Sequence, residues 1–179
     1  MLILDHYIFN TNTAMLGQMT NEYGEYFTVI VENKRIYRVN MPMQKLIEIN
    51  LNYYGSSFRG ARDGSRAILG NIHMYPIAIN IAKNIIWFPS ESMKNPSLRW
   101  FALDCILTFG RSGDNETEVT LTSGLKFVIP VKHKEFLKRY NHAHLLKSKM
   151  EQRTTHMSQF IAERFIEYKV KDDEIDLNE

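Results

Sequence analysis

The sequence predicts an α+β fold, with a mainly antiparallel sheet, one internal helix and a C-terminal helical segment. Three observations carry this. Short stretches rich in aromatic and β-branched residues recur up to residue 131, punctuated by turn residues. Inside that region only residues 42–53 place apolar side chains at helical spacing. Beyond residue 131 the apolar period becomes helical as far as residue 168.

Taken in order, residues 3–9 and 26–31 read as strands. Glu32-Asn33-Lys34 reads as a tight turn into a strand over 35–40. Pro42 suits a first helical turn, and Leu46, Ile47, Asn50, Leu51 and Tyr54 follow at helical spacing. Gly55 can end that helix in the left-handed conformation. Residues 53–65 read as a glycine- and arginine-rich loop, and 65–73 and 75–81 as extended. A short strand at 84–88 is expected to stop at Pro89, with a polar loop over 90–96. Residues 98–109 read as one long strand, and 110–115 as a turn. Residues 117–122 and 125–131, joined by Ser123-Gly124, form the clearest hairpin signal. Helices are expected over 132–153 and 155–168, and disorder after Val170. The resulting division is an α+β core over 1–131, a helical segment over 132–170 and an acidic tail over 171–179.

A chain of 179 residues can bury roughly 70% of its unfolded surface, so it needs neither disulfide nor metal to fold. The single Cys105 cannot pair within the chain, and it sits in an apolar strand pattern, where a buried inert thiol is expected. Both points suit a reducing, intracellular setting. The N-terminus has no basic stretch and carries Asp5, unlike a signal peptide. No window reaches the ~18 uninterrupted apolar residues of a membrane span.

The net charge of +2 conceals a polarity. No Lys or Arg precedes Lys34, whereas Asp5, Glu22, Glu25 and Glu32 do. Lys132, Lys134, Lys138, Arg139, Lys147, Lys149 and Arg153 are opposed only by Glu135 and Glu151, and the region after Glu163 is acidic again. Such a basic segment fits either a polyanion partner or a solvated helix face.

Residues 53–65 hold three glycines, two arginines, three serines and three aromatics. Gly55, Gly60 and Gly64 would shape a loop that admits close approach, and Ser56 and Ser57 could donate to phosphate oxygens. Arg59, Arg62 and Arg66 offer planar donor forks for phosphate or a narrow A·T-rich minor groove. A nucleotide-binding P-loop is disfavoured, because Ala61-Arg62 stands where Lys-[Ser/Thr] is needed and a helix precedes the loop. No nucleophile elbow is present, and His142 and His144 would point to different faces of a helix. Neither enzyme, metal nor cofactor is therefore expected.

The run from Tyr54 to Ser65, Tyr-Gly-Ser-Ser-Phe-Arg-Gly-Ala-Arg-Asp-Gly-Ser, resembles a stretch of the competence transcription factor family, ComK. Asn40-Met41, His73 with Pro76-Ile77, Ile86-Trp87-Phe88-Pro89-Ser90 with Trp100, and the hairpin from Glu118 to Pro130 continue the resemblance. It implies a cytoplasmic bacterial activator of DNA-uptake genes. Such an activator binds double-stranded A·T-rich DNA through the minor groove, as a dimer or paired dimers, and works with RNA polymerase. It also implies control by a Clp-protease adaptor, for which Phe165, Tyr168 and Lys169 are the matching residues. Here Glu167 stands where the family has leucine, and the proline is absent. An alternative is a diverged paralogue that acts as a heterodimer partner or protease-adaptor competitor without binding DNA itself.

Overall fold

A computed structural model describes residues 1–167, with side chains to residue 154. The chain divides into two compact units, Met1–Lys147 and Ser148–Glu179. The first contains a seven-stranded sheet in the order β1-β4-β3-β2-β7-β6-β5 and a three-stranded sheet in the order β10-β9-β8. The strands are β1 (Leu2–Leu4), β2 (Thr13–Thr20), β3 (Tyr26–Glu32), β4 (Arg35–Val39), β5 (Ile77–Asn80), β6 (Ile85–Pro89), β7 (Arg99–Ala102), β8 (Ile106–Arg111), β9 (Thr117–Leu121) and β10 (Lys126–Ile129). The helices are α1 (Met43–Tyr53), α2 (Phe58–Leu69) and α3 (His133–Glu167). Every strand pairing is antiparallel except β1 with β4. The α+β class holds, and so do α1, which follows Pro42, and the hairpin β9–β10, turned at Gly124 (φ +85°).

Several expectations give way. The strand expected over 3–9 shrinks to β1. Residues 5–10 bond to α1 instead: the Asn50 carboxamide accepts from the Phe9 N–H (2.7 Å) and donates to the Tyr7 carbonyl (3.0 Å). The Tyr54 hydroxyl takes the Phe9 carbonyl (2.8 Å). Strand β2 was not anticipated, yet it lies mid-sheet between β3 and β7. Its first residues, Thr13 to Gly17, are buried without alternation, and Ala, Met, Leu and Gln give it no β-signature.

Strand β6 ends at Pro89 as expected, although Pro89 itself still pairs with Trp100 inside the sheet. The long strand expected over 98–109 breaks at a 3₁₀ turn, Leu103–Cys105, so that β7 and β8 belong to different sheets. Cys105 is buried there, its thiol pushed up to about 11 by desolvation, an unreactive state as expected. The two helices expected beyond residue 131 form one, α3. Phe136 of α3 fills an aromatic cluster with Phe88, Phe101 and Phe109, which ties the two sheets together.

The largest correction concerns residues 53–73. Of Gly55, Gly60 and Gly64 only Gly55 has a positive φ (+80°), and residues 58–69 of the supposed loop and extended segment are helix α2. Ser57 caps it, its hydroxyl accepting from the Gly60 N–H (3.0 Å). Phe58, Ala61 and Ser65 follow at i, i+3 and i+7 on the inward face. Phe58 packs edge-on against Trp100 (6.2 Å), and the Ser65 hydroxyl donates to the Pro76 carbonyl (2.6 Å). Two interior glycines cost such a helix about 1 kcal/mol each relative to alanine, and this inward packing offsets the loss. A Cβ on Gly64 would meet nothing within 4 Å, and Gly64 is helical. Gly64→Ala should therefore raise stability by about 0.5–1 kcal/mol, read as a higher urea midpoint with unchanged slope.

Candidate nucleic-acid interface

Helix α2 decides how the arginines are presented. Arg59, Arg62 and Arg66 stand at i, i+3 and i+7, so one outward stripe carries all three, and all are exposed. The Arg59 side chain is 94% exposed, and its contact with Asp63 (3.7 Å) is a solvent-screened pair of little worth. A phosphate can displace Asp63 at small cost. Gly60 and Gly64 flank this stripe, and neither shapes a loop.

The serines divide. The Ser57 hydroxyl is engaged in the cap, and the Phe58 N–H donates to Glu48 Oε2 (2.9 Å), so a carboxylate of α1 already sits at the start of α2. That end is no open phosphate cradle. The Ser56 hydroxyl makes only a long contact with the Ser57 carbonyl (3.5 Å), which leaves it able to donate elsewhere.

The second set of bases also divides. Lys132, just before α3, and Lys134 and Lys138 on one face of its start are exposed. Lys149 is exposed in the Ser148–Glu179 unit. Arg139 is half-buried, donates from Nη1 to the Ser90 carbonyl, and is held below its usual basicity by desolvation. Lys147 binds both oxygens of Asp104 at 2.8 Å. Arg139 and Lys147 thus anchor α3 to the sheet region and are spoken for. Tyr168 and Lys169 lie outside the described residues, and Phe165 falls near the end of α3.

Residues 70–76 join the two basic sets. His73 lines a groove with Arg62 and Lys94 on one side, and a hollow with Lys138, Arg139, His142 and Glu135 on the other. His142 titrates below its usual range because of burial, with Lys138 beside it, and is neutral at neutral pH. His144 instead packs on Tyr140 (4.5 Å). The outcome is a basic track from α2 across His73 to the start of α3. His73, Lys94 and its link between the two basic sets were not foreseeable, because they lie far apart in the chain.

The ComK protein family matches residues 4–155 of the chain. The chain is similar to the competence transcription factor of Bacillus subtilis (strain 168), with 24% identity over 149 residues, 83% of this chain and 78% of that protein. No solved structure matches it.

Proposed function

The chain belongs to the ComK protein family, and from that premise we propose that it is a competence transcription factor that binds double-stranded A·T-rich DNA and activates transcription. The observation that carries the reading is the row of exposed arginines on α2, set beside a basic track. A helix about 10–12 Å across cannot enter a minor groove about 6 Å wide. Arg59, Arg62 and Arg66 would therefore reach into the groove as side chains, from a helix lying over the phosphate ridges. Ser56, Lys132, Lys134, Lys138 and Lys149 would contact phosphates without reading sequence. In this role the protein acts on cytoplasmic DNA beside RNA polymerase, with more than one copy at a promoter.

The test is a salt titration on an A·T-rich duplex. Each phosphate neutralised adds about −0.9 to the slope of log affinity against log salt, so a steep negative slope is expected. A flat slope would remove the DNA reading. Replacing A·T by I·C pairs keeps the minor-groove pattern and changes the major groove. Affinity retained on that duplex supports minor-groove entry, and loss of binding places the contacts in the major groove.

A further inference from the structure

The Met1–Lys147 unit carries both a groove and a knob that match each other. The groove, about 440 Å³, lies between α2, the 70–76 segment and the β6–β7 connection. Phe58, Ile77 and Trp100 line it, together with Arg62, His73 and Lys94, and no carboxylate does. Neither Arg62 nor Lys94 has an ion pair among the described residues. An aromatic lining beside uncompensated cations suits an aromatic side chain flanked by acids.

The turn between β2 and β3 presents that chemistry. Tyr23 is 80% exposed at its tip, with Glu22 and Glu25 on either side. The tip is held before any contact forms. The Asn21 side chain accepts from the Tyr23 N–H (3.0 Å) and the Glu25 N–H (2.8 Å), and Gly24 supplies the positive φ the turn requires (+78°). A fixed turn spares the ordering cost of docking, and tyrosine supplies contact area with few rotatable bonds. We propose that the β2–β3 tip of one copy seats Tyr23 in the α2–β6 groove of a second copy, with Glu22 and Glu25 facing Arg62 and Lys94.

The proposal shares Arg62 with the DNA reading but does not rest on it, and it is tested without DNA, by sedimentation equilibrium on the full chain. The wild type should self-associate with a dissociation constant of roughly 1–100 µM, the range of small, partly polar interfaces. Tyr23→Ala, Glu22→Lys and Lys94→Glu should each weaken association at least tenfold, with circular dichroism unchanged, since all three positions are exposed. Mixing Glu22→Lys with Lys94→Glu pairs a reversed tip with a reversed groove, and should restore association at least tenfold over either variant alone. A wild type that stays monomeric, variants that associate like the wild type, or a mixture that stays apart would each overturn the proposal. Because no DNA is present, any of these outcomes leaves the salt titration to judge the DNA reading separately.

Discussion

Replacing Arg59 and Arg62 together by alanine is expected to lower affinity for an A·T-rich duplex at least about 30-fold, from about 1–3 kcal/mol per arginine contact. Both side chains are exposed on the outward stripe of α2 and support no buried partner, so thermal unfolding should stay where it is. The salt slope should become shallower by about two contacts' worth, near 1.8 on the log–log scale. Arg139→Ala provides the contrast. Its guanidinium holds the Ser90 carbonyl, so it should lower the unfolding midpoint and leave the salt slope alone. If the double variant unfolds early while Arg139→Ala merely loses affinity, the roles given to α2 and α3 are reversed.

Asn50→Leu should cost about 2–6 kcal/mol of stability. Asn50 is fully buried in α1, and its carboxamide satisfies the Phe9 N–H and the Tyr7 carbonyl. Leucine leaves both backbone groups without a partner, at about 1–3 kcal/mol each. The Leu46 carbonyl, which also accepts from Asn50 (2.9 Å), keeps its ordinary helical partner and adds little. For a chain of this size the midpoint should fall by about 10 °C. Asn50→Asp preserves the acceptor for Phe9 but loses the donor to Tyr7 and buries a charge, so it should rescue nothing. A midpoint within 2–3 °C of wild type for Asn50→Leu, on that same scale, would mean that residues 5–10 are held mainly by the packing of Phe9 on Trp87 (5.2 Å).

Misread segments share a cause. In α2, Gly60, Gly64 and the neighbouring serines carry local signals for a loop, yet Phe58 and Ser65 meet Trp100 and Pro76, residues separated from them by 42 and 11 positions. In β2, helix-favouring residues become a central strand because Met15 and Leu16 pair with Phe101 and Trp100. Residues 5–10, extended by composition, lose their ladder to one amide on α1. Each is a case where distant burial or hydrogen bonding, worth several kcal/mol, overrides propensities worth about 1 kcal/mol or less per residue.

The sequence by itself determined the α+β class, α1 after Pro42, the hairpin at Ser123-Gly124 and the identity of the basic residues. All of these depend on neighbours within a few positions, where spacing and turn chemistry act directly. Tertiary structure alone decided that Arg59, Arg62 and Arg66 share one rigid face, that Arg139 and Lys147 are occupied, and that His73 bridges the two basic sets. A side chain's availability depends on which distant groups reach it first, and that competition is settled only when the sheets and helices have packed.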